Sequence, residues 1–253
     1  TDFAVAGLGS IHVTTFHVTT QMSVNGGDLF TLTLGGITVH LGGDNATLDV
    51  TGTTLTVYEF STATADQLYT AGTGLSLALA LGPVTASVTG VDFTYNPSTR
   101  TDWSFAGGPA SVTAQSLDVS GGATDFAVAG LGSIHVTTFH ITTTLGVNGG
   151  DLFTLTLGGI TAHLGGDNAT LDVTGTTLTL YEFSTATADQ LYAAGTGLNL
   201  ALALGPVTAS VTGVDFTYNP STRTDWSFAG GPASATAQSL DVSGGATDFA
   251  VAG

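Results

Sequence analysis

Apolar residues recur at every second position through most of this chain, and a 3.6-residue rhythm is nearly absent, so the pattern predicts an all-β protein. In DLFTLTLGG (28–36), Phe30, Leu32 and Leu34 share one face, with Leu29, Thr31 and Thr33 on the other. ITVHL continues the alternation, with Ile37, Val39 and Leu41 facing in and Thr38 and His40 facing out. After the turn signal GGDN come ATLDV and TTLTVYEF. LSLALAL then sets Leu75, Leu77, Leu79 and Leu81 against Ser76, Ala78 and Ala80. Cutting the chain at its Gly and Pro breaks, the expectation is about ten or eleven short strands in the first 123 residues.

Two stretches depart from this rhythm. In IHVTTFHVTT, Ile11 and Val13 have one parity and Phe16 and Val18 the other, which predicts a bulge or corner between Thr14 and Thr15. From Ala65 to Ala71 a short helix is expected, with Thr64 as its cap, Gln67 completing a capping box and Gly72 ending it.

The strand words repeat as a block. TDFAVAG opens the chain, returns at Thr124–Gly130 and stands again at Thr247–Gly253. Residues 1–123 and 124–246 differ at nine positions, leaving 114 of 123 identical, and no difference creates or removes a charge. The organisation is therefore repeat unit 1 (1–123), repeat unit 2 (124–246) and the start of a third (247–253), a window on a longer array. Any active site would be copied with the repeat, which argues against an enzyme. No flexible linker separates the copies, since VSGGATDFAVAGLGSIHV reads as strand on both sides of the boundary. The expected architecture is thus a stacked, β-solenoid-like fibre, the alternative being a string of β-sandwich domains. TDFAVAG would lie where one unit's exposed edge is completed by its neighbour.

Charge narrows the class of function. Two Lys plus Arg against 19 Asp plus Glu give a net charge of −17, yet only 8% of residues are charged, so the acidity reflects missing cations. Arg100 and Arg223 are the sole basic residues apart from histidine, which excludes a phosphate-neutralising surface and with it nucleic acid. Cysteine is absent, removing disulfides and thiolate metal sites. No apolar run approaches the roughly 20 residues of a membrane-spanning helix, so no membrane insertion is expected in this segment.

Several residues invite chemistry. Asp28, Asp44, Asn45 and Asp49, with their copies Asp151, Asp167, Asn168 and Asp172, stand in or beside Gly turns and are the candidate calcium ligands. The surrounding words match neither an EF-hand loop nor the calcium-binding nonapeptide, and turn capping is the competing use. His12, His17 and His40 recur in the second copy, but the odd separation of His12 and His17 sends them to opposite faces of a regular strand, against a zinc site. Arg100 is expected to pair with Asp102 or bond loop carbonyls. Trp103, Tyr58 and Tyr95 suit core or edge packing more than a sugar-stacking platform. Asn45-Ala46-Thr47 is a glycosylation sequon.

The Gly-punctuated words SLDVSGGATDFAVAGLGSIHV and GDLFTLTLGGITVHLGGDNATLDVTG resemble the repeat regions of giant secreted bacterial surface proteins and repeat adhesins. The resemblance implies a structural or adhesive role at the cell surface or in the matrix. The expected function is an extracellular structural repeat protein forming an extended β-rich fibre that self-associates through neighbouring repeats or other fibre chains. A calcium-rigidified stalk of a repeat adhesin is the alternative.

Overall fold

The computed structural model describes residues 2–5, 9–43, 46–166 and 169–251. The first copy carries β1 (Asp2–Val5), β2 (Gly9–Val24), β3 (Gly27–Gly43), β4 (Ala46–Ser61), β5 (Asp66–Leu81), β6 (Val84–Asn96) and β7 (Ser116–Gly121). The second carries β8 (Thr124–Val128), β9 (Gly132–Val147), β10 (Gly150–Gly166), β11 (Ala169–Ser184), β12 (Asp189–Leu204), β13 (Val207–Asn219) and β14 (Ser239–Ser243), and β15 (Thr247–Val251) comes last. One 3-10 turn per copy, Ser104–Ala106 and Ser227–Ala229, is the only helical structure among the described residues.

The elements are longer and fewer than the ten or eleven short strands expected, because many glycines read as strand ends lie inside strands. β2 to β5 run 16 or 17 residues each. The real reversals are few. Asn25 and Gly26, with φ of 47° and 83°, make the β2–β3 turn, and Gly82 (φ 56°) ahead of Pro83 makes the β5–β6 turn. The expected helix over 65–71 is instead the start of β5. Thr62 closes a tight hairpin there, donating its N–H to the Ala65 carbonyl at 3.0 Å while its hydroxyl oxygen accepts from the Ala65 N–H at 3.1 Å. The chain then re-enters the ladder at Ser61↔Asp66, and Tyr69, opposite Tyr58, is buried.

The glycine pairs mark a line of mid-strand kinks. The β2–β3 ladder passes from Val13↔Ile37 to Thr15↔Gly35, omitting Thr14 and Gly36. The break falls at the expected place, but the ladder resumes in the same register, so it is a kink and not a bulge. The β4–β5 ladder likewise passes from Thr51↔Ser76 to Thr54↔Thr73. Gly36 (φ 60°) and Gly74 (φ 62°) sit in this line, and a Cβ on either would lie 2.5 Å from a threonine hydroxyl, Thr14 or Thr53. Only glycine both adopts that backbone and leaves that room.

The chain divides into two compact units. The first is Thr1–Gly82, Ser87–Gly121 and Thr142–Leu145; the second is Pro83–Ala86, Gly122–Ile141 and Gly146–Gly253. In the first, β2 to β5 form an antiparallel meander. On the β2–β3 turn side of the kinks, Phe16, Leu34 and Leu55 share one cross-strand row and Val18, Leu32 and Val57 the next. The opposite face of that half presents Leu29 beside Phe60 and Tyr58 beside Tyr69. Residues 97–115 fold back over this face, and Trp103, fully buried, joins Leu29, Phe60 and Tyr69 in the core, with Phe105 and Val112 at its margin. Beyond the kinks, Leu41, Leu48 and Leu79 line up on one face, and His40 and Asp49 on the other.

The cap is held at its base by one buried amide. The Asn96 side chain donates to the carbonyls of Arg100 and Thr113, both at 2.8 Å, tying together the two ends of the excursion. Arg100 lies between the rings of Phe60 (4.6 Å) and Phe105 (4.7 Å), and its Nε donates to the Gln67 side chain. Its Nη1 also donates to the Asp102 backbone carbonyl at 3.5 Å, the expected alternative to an ion pair with that residue. The Asp102 carboxylate instead accepts from the Ser104 N–H and hydroxyl at 2.9 and 2.7 Å.

The second unit repeats the plan by itself. Its core is Leu152, Phe183, Tyr192 and Trp226. Arg223 lies between Phe183 (4.5 Å) and Phe228 (4.7 Å), and Asn219 binds the Arg223 and Thr236 carbonyls.

Candidate functional site: the strand between copies

β13 changes partner halfway along one edge. Val207–Val211 pair with β15, in the register Val207↔Val251 to Val211↔Thr247. Asp215–Asn219 pair with β14, from Asp215↔Ser243 to Asn219↔Ser239. Between the two ladders the Thr212 N–H reaches the Ala246 carbonyl at 3.0 Å, and the Gly245 N–H reaches the Thr212 carbonyl at 2.8 Å. β14 and β15 therefore lie end to end beside one strand. Half of that composite strand is SLDVS, which ends a repeat; the other half is TDFAV, which opens the next.

TDFAV occurs in three settings. β1 pairs with β2 and stands at the end of the strand order. β15 pairs with β13. β8 pairs on both sides, with β6 and with β9, and the Ala129 N–H extends the first contact to the Pro83 carbonyl at 2.9 Å. The register toward the next strand in the chain is the same in both cases where that strand is present, Asp2↔His12 and Asp125↔His135.

Those two register pairs carry side-chain bonds. His12 Nδ1 lies 2.5 Å from Asp2 Oδ1, and His135 Nδ1 lies 2.7 Å from Asp125 Oδ1. Hydrogen bonding to His12, and then its charge, hold the Asp2 carboxyl below its ordinary range. His40–Asp49 and His163–Asp172, both 2.5 Å, make the same cross-strand contact between β3 and β4 and between β10 and β11. All these partners are solvent-exposed, so each pair contributes little to stability and mainly marks register.

The candidate calcium ligands separate into local roles. Asp28 accepts from the Ser23 N–H at 2.9 Å and Asp151 from the Gly146 N–H at 3.0 Å, closing equivalent hairpins. Asp49 and Asp172 are the histidine partners just described. Asp44, Asn45, Asp167 and Asn168, and with Asn45 the sequon, lie outside the described residues. Among the described residues no three His, Asp or Glu side chains are grouped so as to hold a metal. A sugar-stacking role for Trp103 has no exposed ring to rest on, since that side chain is fully buried, while Tyr95 is exposed apart from it. An open groove in the first unit is lined by Tyr69, Thr94, Thr113, Asp118, Thr142 and Thr144, mostly hydroxyls with no cation.

Burial distinguishes the two composite-strand halves by position. In the first unit Thr142–Leu145 lie alongside β7, with the Leu145 N–H on the Gln115 carbonyl at 2.9 Å, and Leu117 and Val119 are half-buried. In the second unit the equivalent Leu240 and Val242 are 65% and 59% exposed, and Phe249 and Val251 of β15 are 70% and 61% exposed. The amino-acid sequence carries no signal for this, because identical words differ in burial according to the strands packed beside them.

Comparison with protein-family models, curated proteins and solved structures finds no match to this chain.

Proposed function

We propose that this chain is a segment of an extracellular structural repeat protein, in which successive copies are joined through β-structure into an extended fibre. The observation that carries this reading is the composite strand, half from the end of one repeat and half from the start of the next, beside β13. A junction of that kind leaves no linker to hinge. Each compact unit also takes in a strand segment numbered in the other copy, Thr142–Leu145 in the first and Pro83–Ala86 in the second. Both points favour a stacked, solenoid-like continuation over separate sandwich domains. The extracellular setting is supported by composition: two Lys plus Arg, no cysteine and 8% charged residues, against about 25% charged in ordinary soluble domains. With so few charges, the strength of the array rests on backbone ladders and packing.

The test is axial length per repeat, measured by electron microscopy and small-angle scattering on arrays of increasing copy number, with calcium and with chelator. A copy contributes five long strands and one composite strand, and six strands at about 4.8 Å give about 29 Å per repeat. Sandwich beads would add nearer ~40 Å. A rigid increment near the shorter value, unchanged by chelator, is the expected result. A longer one that softens in chelator would replace this reading with a calcium-stiffened adhesin stalk.

A further inference from the structure

We propose that Asn25 and Asn148 are sites of spontaneous covalent modification, at which each asparagine side chain cyclises onto the backbone nitrogen of the following glycine and is converted to aspartate and isoaspartate. The site occurs in both copies and is independent of how copies join.

The hairpin sets up the chemistry. Asn25 and Gly26 stand between β2 and β3, outside the last ladder pair, Val24↔Gly27, and Asn148 and Gly149 stand between β9 and β10. Both asparagines are exposed and hold the left-handed backbone of a two-residue turn, at φ of 47° and 48°, followed by glycines at 83° and 82°. The central peptide of such a turn lies outside the ladder, so its nitrogen gives up no hydrogen bond when it reacts. Among the described residues the Gly26 and Gly149 N–H groups have no backbone partner, and no hydrogen bond ties down either asparagine side chain. A Cβ on either glycine would meet nothing within 4 Å, so the peptide has room to turn toward the side chain while the ladder stays closed.

Of the five asparagines described, the fold opens only these two to the reaction. Asn96 and Asn219 are 1% exposed, donate their amides to two carbonyls each, and precede Pro97 and Pro220, whose nitrogens carry no proton to lose. Asn199 lies within β12, its amide donating to the Thr174 hydroxyl at 3.2 Å and its side-chain carbonyl accepting from the Gly213 N–H at 2.9 Å. It precedes Leu200, which is held in the ladder opposite Val211.

The glycine amide loses its proton to hydroxide, its nitrogen attacks the asparagine Cγ, the Cγ–Nδ2 bond breaks and ammonia leaves, closing a succinimide ring. Water then opens the ring. Cleavage at Cγ leaves an ordinary aspartate, and cleavage at the backbone carbonyl leaves isoaspartate, with the chain routed through Cβ and Cγ. Each event exchanges ammonia for water and a neutral amide for a carboxylate, so the two together take the net charge from −17 to −19. The isoaspartyl form adds a backbone atom to a turn whose length sets the Val24↔Gly27 register. The new charge also arrives close in sequence to Asp28, which closes the same hairpin by accepting from the Ser23 N–H.

The test incubates the folded 253-residue chain at neutral and mildly alkaline pH, beside the same chain in denaturant, and maps both by peptide mass spectrometry. A rise of about 1 Da is expected at positions 25 and 148 of the folded chain. Aspartate and isoaspartate should both be present at each, conversion should be faster at the higher pH, and Asn96, Asn199 and Asn219 should remain intact. Asn148→Gly keeps the left-handed backbone and should lose one of the two acidic charge shifts, with conversion at Asn25 unchanged. If positions 25 and 148 stay intact in the folded chain over a time in which they convert in denaturant, the turn holds its peptide away from the side chain and the proposal is overturned. Aspartate without isoaspartate would overturn the cyclisation, since direct hydrolysis of the amide gives aspartate alone. Conversion of Asn199 as fast as Asn25 would overturn the selection by the turn.

Discussion

Thr212 donates its backbone N–H to the carbonyl of Ala246, and at that bond β13 passes from a partner that ends one repeat to a partner that begins the next. A chain that merely strung domains together would place its repeat boundary in an unbonded connection. Here the boundary falls in the short connection between β14 and β15, and that connection is itself bonded to Thr212 of β13.

The three settings of TDFAV predict three patterns of amide exchange. Successive N–H groups of a strand point to opposite edges, so a strand paired on both sides protects all its amides and a strand paired on one side protects alternate ones. Residues 124–128 are expected to exchange slowly throughout. Residues 2–5 and 247–251 are expected to show alternating protection in complementary phase, because β1 faces β2 and β15 faces β13. NMR-detected exchange at low protein concentration checks this; uniform fast exchange over 124–128 would contradict the two-sided pairing.

The caps over the sheet give a prediction of magnitude. Trp103 is fully buried against Tyr58, Tyr69 and Phe105, and Trp226 occupies the same place in the second unit. Trp103→Ala removes the centre of its cluster and is expected to cost about 3–5 kcal/mol. The chain has two tryptophans, so in this variant Trp226 alone reports by fluorescence. Its emission should remain that of a buried indole through a separate low-denaturant transition of the first unit followed by other probes.

How much of this is legible in the sequence depends on the range of the signal. The break at Thr14 is readable because alternation has a hard period of two, and the ladder omits Thr14 there, although it resumes in the same register. The glycines at 35–36, 52 and 74 are misleading because a mid-strand kink and a strand end use the same residue; what separates them is a side chain on the neighbouring strand, Thr15 and Thr14 for Gly35 and Gly36, Leu75 for Gly52 and Thr53 for Gly74. The short helix fails for a similar reason. STATADQ offers a capping box, but Thr62 uses its hydroxyl to close a hairpin, and Tyr69 is then drawn into the core by the cap. Local reasoning gives Arg100 its neighbour Asp102 or a loop carbonyl, and the Asp102 carbonyl does accept from it at 3.5 Å; what it misses is Phe60, brought from far along the chain. The repeat makes TDFAVAG conspicuous; the difference in burial between its copies is a property of the assembled strands alone.

Stability is expected to fall at both ends of the pH scale, through carboxyls in the caps at the acid end and tyrosines of the strands beneath them at the alkaline end. The Asp102 and Asp225 carboxyls lie below their ordinary value of 3.8 because Ser104 and Ser227 donate to them. A lowered folded-state value contributes stability above the ordinary carboxylate range, and that contribution is lost as pH falls from 3.8 through the folded value. Burial pushes Tyr58 and Tyr69, and likewise Tyr181 and Tyr192, above their ordinary 10.0. A raised value contributes stability below pH 10.0 that is lost as pH rises through the folded value. Denaturant midpoints should therefore stay level between these limits and drop outside them. Asp102→Asn with Asp225→Asn should flatten the acid limb, and an unchanged acid limb in that variant would refute the assignment.

One of the nine differences between the copies is itself a stability experiment. Ser23 sits in β2 with φ 59°, a left-handed backbone that costs a residue with a side chain about 1 kcal/mol or more. The second copy has Gly146 at the same place with φ 71°, and in both copies the N–H of that residue binds the aspartate five positions on, Asp28 or Asp151. The hydrogen bond is thus common to both, and the difference lies in backbone strain offset by the greater freedom of glycine in the unfolded chain. Ser23→Gly should raise the stability of the first unit by about 0.5–1 kcal/mol, and Gly146→Ser should lower that of the second by a similar amount. Chemical denaturation of Ser23→Gly in a Trp226→Phe background and of Gly146→Ser in a Trp103→Phe background, each against its own background, would show opposite shifts in the remaining tryptophan's transition; a loss of stability in Ser23→Gly would mean that the serine side chain has a partner worth more than the strain it imposes.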